Sequence, residues 1–344
     1  MLPEDWAKRL VDVNVRKLRA SDLDWADLVF VSGMIAQQDS AHELIARCRA
    51  AGKKIVAGGP LFTLGHEQFP DVDHFVLNEA EVTLPEFLRD FERHTARRMY
   101  ASLDLPDIRQ TPPPLWELAD MRRYATMSVQ FSRGCPFDCE FCNITAMFGH
   151  RPRLKSTAQV IAQLEGLRRA GWRGSVFFVD DNFIGNKHVL KEELLPALIR
   201  WQQSGRGTPL FTEASINLAD DEELMRLMVE AGFNQVFVGI ETPEEAGLAE
   251  CNKRQNQKRN LVADVQRIQR AGLEVRGDSS SGSTVTRPRS LRASSSSSRK
   301  AGSSRQWSAC CRPSPAQSFT SGSPNPSPIE ATPPRPRRWK HRSR

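Results

Sequence analysis

The chain has 344 residues, a formal net charge of +7, and 39% hydrophobic residues. That length accommodates two modest domains, and the absence of an apolar run of about 18 residues excludes a membrane-spanning helix. Residues 276–344 hold 14 Lys+Arg against two acids, whereas residues 1–275 hold 34 against 39, so the basic balance describes the tail and argues for no nucleic-acid partner.

Short apolar runs alternate with helical stretches through the first hundred residues. Val11–Val15, Leu28–Ser32, Lys54–Ala57 and Asp73–Leu77 read as strands, and Ser40–Ala51 as a helix opened by Ser40 with Glu43 in the capping-box position. Strand–helix alternation predicts a parallel, doubly wound sheet. Such a sheet starts from a central strand. Here the chain opens on Met1-Leu-Pro3, which reads as a helix end, so one strand and one helix are expected ahead of Met1. No basic start with an apolar stretch marks a secretory signal, and a cytoplasmic location is expected.

Ala101–Arg122, with Thr111-Pro-Pro-Pro114, reads as a linker. A second alternation follows, with strands at Met127–Ser132, Ser175–Val179, Leu210–Ser215, Gln235–Ile240 and, weakly, Leu273–Val275. Ser156 with Gln159, and Asp220 with Glu223, are expected to cap helices between them. This repeat predicts a (βα) partial barrel, truncated near its fifth strand, with its chemistry at the C-terminal strand ends.

From Arg276 the composition changes. The last 69 residues carry 19 Ser and nine Pro, too little apolar surface to offset chain entropy, and a disordered Ser/Arg/Pro-rich tail is predicted. The genetic code permits another reading of the same DNA. Regrouping the codons of Arg276–Thr286 allows Gly-Gly-Phe-Ile-Val-Gly-Phe-Asp-Ser-Asp, an apolar strand ending in a Gly turn. The tail is therefore expected to be a frameshift product, which the gene sequence across codon 276 checks.

Seven cysteines are too few for a disulfide scaffold at this length, and three crowd into eight positions: Phe131-Ser-Arg-Gly-Cys135-Pro-Phe-Asp-Cys139-Glu-Phe-Cys142. Three thiolates on one loop can hold three irons of a 4Fe-4S cluster and leave the fourth iron open. That position suits the amino and carboxylate groups of S-adenosylmethionine, whose sulfonium would be cleaved by an electron to a 5′-deoxyadenosyl radical. Structural zinc is the alternative, with His150 completing a Cys3His set. The spacing departs from the paired C-x-x-C of zinc ribbons, and Phe141 suits a ring packed against an adenine.

This loop resembles the signature of radical S-adenosylmethionine (radical SAM) enzymes. The wider run F-S-R-G-C-P-F-D-C-E-F-C-N-I, with G-H-R-P-R-L-K-S, F-F-V-D-D-N-F-I-G-N-K and T-E-A-S, resembles the branch with an N-terminal cobalamin-binding domain. That branch includes the hopanoid C-2 methylases and, more distantly, magnesium-protoporphyrin ester oxidative cyclases. The resemblance implies a partial cobalamin-binding-like domain over 1–100, a linker over 101–122 and a truncated radical SAM core over 123–275, with the tail 276–344 outside it.

Acids stand at successive strand ends. By resemblance, Asp180 and Asp181 sit where the superfamily contacts the methionyl amino group, and either acid fits. Glu213 can accept from ribose hydroxyls or amino groups, Gly239 permits close backbone approach, and Glu241 can contact the cofactor or hold the loop. Each alone reads equally as a solvated acid or helix cap; together they favour a site. Ser32-Gly33 and Gly58-Gly59 end two strands of the first sheet, where glycines let a large flat ligand lie against the backbone or simply form a turn. They resemble the Ser and Gly-Gly positions of cobalamin-binding domains.

The implied function is hydrogen abstraction by a 5′-deoxyadenosyl radical, with cobalamin-dependent methyl transfer to an unactivated carbon. Alternatives are oxidative cyclisation, an inactive fragment of such an enzyme, or a zinc-stabilised binding module. The implied partners are a small-molecule or lipid-like substrate and an external electron donor such as a flavodoxin or ferredoxin.

Overall fold

Two parallel sheets follow one another along the chain in the computed structural model, which describes residues 1–242 and 244–278. In the first sheet β1 (Leu28–Ser32), β2 (Lys54–Gly58), β3 (His74–Val76) and β4 (Met99–Tyr100) pair in chain order, all parallel. Side chains alternate between its faces. Val31, Ile55, Ala57 and Phe75 pack with Ile45 of the helix Gln38–Ala50 and Phe62 of the helix Pro60–Gly65. Val56 and Val76 meet Phe87 and Leu88 of the helix Ala80–Glu92. Both faces are therefore covered, as expected of a doubly wound sheet.

Two local expectations fail in this region. Val11–Val15 is a turn, in which the amides of Val15 and Arg16 donate to the Asp12 carbonyl at 3.1 and 2.9 Å and the Asn14 amide donates to the Asp12 carboxylate at 2.9 Å. A strand forms only beside a partner, and without one the local Asp/Asn turn chemistry prevails. Ser40 is not a cap: a 3-10 turn, Ile35–Gln37, leads into a helix that already begins at Gln38. Gln37 reaches back instead, accepting from the Met34 amide at 2.9 Å.

In the second sheet β5 (Met127–Val129) is followed by a small antiparallel pair, β6 (Ser132–Arg133) and β7 (Arg153–Leu154). Then come β8 (Val176–Phe178), β9 (Leu210–Glu213), β10 (Phe233–Gly239) and β11 (Glu274–Asp278). The order β5-β8-β9-β10-β11 is parallel throughout, the topology of a segment of βα barrel. The expected single strand Met127–Ser132 is broken because β6 leaves β8 to pair with β7. The fifth strand is longer than expected, running past Val275 to Asp278 in register with Gln235–Gly239. The first three residues of the expected disordered tail, Arg276–Asp278, are thus strand, because they pair with β10; residues 279–344, and with them the frameshift expectation and the rest of the disorder expectation, lie outside the described residues.

Val176, Phe178, Leu210, Val236 and Val238 face the helices, where Leu164, Leu198, Met228 and Ile268 close the core. Each such fully buried side chain contributes about 1.5–3 kcal/mol. The other face carries Phe177, Phe211 and Phe237 on adjacent strands, with ring centroids 4.9 Å apart for the first pair and 6.1 Å for the second. Ser156 caps its helix as expected, accepting from the Gln159 amide at 3.3 Å. Asp220 does not: the helix begins at Glu222, so Asp221 caps it, accepting from the Leu224 amide at 3.0 Å. Asp220 pairs with Arg259 instead.

The segment between the sheets is packed. Ile108 is wholly buried, and Gln159 Nε2 donates to the Arg109 carbonyl at 2.7 Å. Charges bridge the two sheets as well. Arg133 Nη1 lies 2.7 Å from Glu79 Oε2, Arg133 Nη2 lies 2.9 Å from Glu81 Oε1, and Arg153 Nη2 lies 2.5 Å from Glu79 Oε1. Among the described residues no helix is long and apolar enough to cross a membrane.

Candidate functional site

The cysteine loop springs from the end of β6 and is pinned at its base. Gly134 has φ +97°, and a Cβ there would fall 2.9–3.2 Å from the carbonyl oxygens of Gly149, Phe148 and Arg151. Only glycine permits both that backbone angle and that approach. The Cys135 amide donates to the Gly149 carbonyl at 3.3 Å, and the Cys142 amide donates to the Cys139 carbonyl at 3.0 Å. A helix, Ile144–Phe148, follows the third cysteine.

All three thiols are half-buried. Burial pushes the Cys135 thiol up to about 11, with the Cys142, Cys139 and Asp181 charges adding to the shift, and burial likewise raises Cys142. Such a donor set fits an iron–sulfur cluster: soft ligands, mutually repelling as thiolates, that cationic iron would bring into charge balance. His150, the residue a Cys3His zinc site would need, is exposed. Among the described residues no three His, Cys, Asp or Glu side chains converge as a site for a single metal ion.

Beside the loop lies a cavity of about 320 Å³ lined by Cys135, Phe141, Asp181, Glu213, Gly239, Glu241 and Lys253, among others. Its volume falls at the small end of the range for small-molecule sites. It gathers five of the six residues expected to bind S-adenosylmethionine, Phe141, Asp181, Glu213, Gly239 and Glu241. Asp181 accepts from the Gly134 amide at 3.0 Å, and burial raises its carboxyl. Glu213 is exposed, yet desolvation by the protein around it, then the Asp181 charge, raises its carboxyl too. Glu241, at φ +63°, pairs with Lys253 Nζ at 2.7 Å. Gly239 leaves room for that pair, since a Cβ there would lie 2.5 Å from Lys253 Nζ.

Asp180 stands elsewhere. It is 1% exposed and accepts from the Phe131 amide at 3.2 Å, the Ser132 hydroxyl at 2.5 Å and the Ser132 amide. It braces the break between β5 and β6 and is not among the residues lining the cavity. Sequence reasoning missed Lys253, which reaches the cavity from beyond the helix Glu245–Glu250, and gave no role to Asn182. Asn182 Oδ1 accepts from the Ser215 amide at 3.1 Å, tying the ends of β8 and β9 together.

Ser32 and Gly58 face each other at the ends of β1 and β2, with Gly59 beside them. Gly58 is required by β3, whose Val76 carbonyl would lie 2.5 Å from a Cβ there, and a Cβ on Gly59 would overlap the Ser32 hydroxyl. Gly33 has only ordinary van der Waals room, with Leu61 Cδ2 at 3.5 Å from a Cβ. None of the four lines the acid-bearing cavity.

The family profile of the Radical SAM superfamily matches residues 129–288. The chain carries a radical SAM domain. It is 45% identical over 276 residues to an uncharacterized methyltransferase of Synechocystis sp., covering 79% of this chain and 51% of that protein. It is 37% identical over 279 residues to the hopanoid C-2 methylase of Rhodopseudomonas palustris, covering 80% and 53%. The chain thus spans about half the length of these curated relatives.

The radical SAM methyltransferase TsrM from Kitasatospora setae, solved with cobalamin and a [4Fe-4S] cluster, shares the fold with a TM-score of 0.63 at 18% identity, over 80% of this chain and 60% of that one. The cobalamin-dependent radical enzyme OxsB matches with a TM-score of 0.59 at 17% identity, over 75% and 41%. The superfamily implies a 4Fe-4S cluster and S-adenosylmethionine as cofactors of this chain.

Proposed function

We propose that this chain is the cofactor-bearing part of a cobalamin-dependent radical SAM methyltransferase, in which Cys135, Cys139 and Cys142 hold the cluster. One observation carries the reading: a cysteine of the three-thiol loop shares a cavity wall with Asp181, Glu213 and Glu241, and Lys253 is the cation among them. Such a chamber favours a ligand of net positive charge, and S-adenosylmethionine, with its sulfonium and ammonium against one carboxylate, is one. The chemistry a bound cluster and S-adenosylmethionine supply together is one-electron reduction of a sulfonium, the source of a 5′-deoxyadenosyl radical for hydrogen abstraction.

This chain's own residues bind and orient. Asp181 and Glu213 take the ammonium or ribose hydroxyls, Lys253 takes a carboxylate or holds Glu241, and Phe141 offers a flat apolar face. The aromatic row Phe177, Phe211 and Phe237 lines the inner face of the sheet and suits an apolar substrate. Cobalamin, which would supply a transferable methyl group, is assigned to the Ser32, Gly33, Gly58 and Gly59 edge. Methyl transfer is favoured over oxidative cyclisation because the relatives named methyltransferase and methylase match at 45% and 37% identity, against 25% for the magnesium-protoporphyrin ester cyclase. An external electron donor completes the system.

Anaerobic reconstitution with iron and sulfide is expected to give a four-iron absorbance band and stoichiometric sulfide, both lost in Cys139→Ala. Stoichiometric zinc with no iron or sulfide uptake would refute the assignment. In the whole protein, label from methyl-labelled S-adenosylmethionine is expected in the product, and a product without label eliminates methylation.

A further inference from the structure

The segment Cys251–Asn256 follows the helix Glu245–Glu250 and touches the cysteine loop at four residues. The Glu140 amide donates to the Cys251 carbonyl at 3.1 Å, and Asn252 Nδ2 donates to the Asp138 carbonyl at 2.6 Å. Lys253 Nζ stands 5.4 Å from the Phe141 ring centroid. Gln255 Nε2 donates to Cys139 Sγ at 3.5 Å. The far end of the segment is fixed by Asn256, which is 1% exposed and whose Nδ2 donates to the Gly239 and Ile240 carbonyls, both at 3.0 Å. Four consecutive loop residues, Asp138 to Phe141, are thus met by one short stretch of chain.

Gln255 Oε1 is buried without a hydrogen-bond partner. Buried amides ordinarily satisfy both ends, so the orientation calls for a cause. A metal-bound thiolate has lone pairs and no proton, and only the N–H end of an amide can face it. The oxygen is what remains when that choice is made.

We propose that Gln255 is a positioning residue of the metal site, whose amide N–H hydrogen-bonds the Cys139 sulfur and raises the reduction potential of the cluster held there. This deepens the proposed function and rests on its cysteine assignment. Reduction adds negative charge, part of it on the ligating sulfurs, so a donor aimed at one of them stabilises the reduced state more than the oxidised one. Without the donor the cluster becomes harder to reduce.

The test uses the full chain, reconstituted anaerobically with iron and sulfide and titrated potentiometrically while the reduced cluster is followed by electron paramagnetic resonance. In Gln255→Leu the reduced-to-oxidised ratio at fixed potential is expected to fall about tenfold, a midpoint about 59 mV lower for one electron, with iron content per chain unchanged. Gln255→Glu keeps the length and lacks the donor, so its midpoint falls in the same direction. It decides the matter if the leucine variant takes up less iron. Iron-loaded variants with the parent's midpoint overturn the inference and leave the cluster assignment standing. A parent protein that binds zinc and no iron overturns both.

Discussion

Asp180 and Asp181 are adjacent in the chain and do different work. Asp180 is walled into the break between β5 and β6, and burial pushes its carboxyl up to about 7. In the unfolded chain an aspartate titrates near 3.9. Below about pH 4 both states hold the proton, and between about pH 4 and 7 the unfolded chain alone gives it up. The stability due to this group is therefore present at the acid end and lost as pH rises through that window, by at most about 1.4 kcal/mol per pH unit. Asp180→Asn is expected to flatten that slope in urea unfolding over a pH series; an unaltered slope would show that another group titrates. The distinction between the two acids was legible in principle. Residues two apart on a strand share a face, so Asp181 goes with Phe177 and the cavity, and Asp180 goes with Phe178 and the core. Reading both as strand-end acids overlooked that parity.

The cysteine loop, as an element, depends on its base. Gly134→Ala places a methyl group against three carbonyls and adds about 1–3 kcal/mol of backbone strain. A lower melting temperature and loss of iron uptake are expected. Gly171 supplies the control: φ is +95° there, but a Cβ would meet nothing within 4 Å. Gly171→Ala is expected to cost about 1–2 kcal/mol and to take up iron normally, so equal iron uptake by the two variants would refute the steric account. The loop and the Ser156 cap were legible because they are local patterns, whereas the short pair β6 and β7 that flanks the loop was not. Val11–Val15 was misread because a strand needs a partner that its own sequence does not specify. Lys253 was missed because it enters the cavity from 12 residues beyond Glu241, with no periodic signal connecting them.

At the scale of the molecule, two sheets that the alternation of strands and helices correctly foretold are locked by a buried network that it did not. Glu79 and Arg133 are 54 residues apart, and no pattern ties them. The Glu79 side chain is 1% exposed and holds both Arg133 and Arg153. Removing one partner of such a network strands the remaining charges, at a cost of about 3–5 kcal/mol. Glu79→Ala is expected to lower stability by that order and to split one calorimetric unfolding transition into two, as the sheets come apart. A single transition in the variant would mean that apolar packing alone couples them.

The surplus of carboxylates in the chamber beside Cys135 also bears on what happens after bond cleavage. On the proposed reading, the ligand enters as a cation and leaves as methionine and a deoxynucleoside, neither with net charge. The sulfonium's share of that attraction is removed by the reaction itself, while the ammonium that Asp181 and Glu213 can take stays on methionine. Of the two fragments, the deoxynucleoside is then the one with no charge to hold it in the chamber.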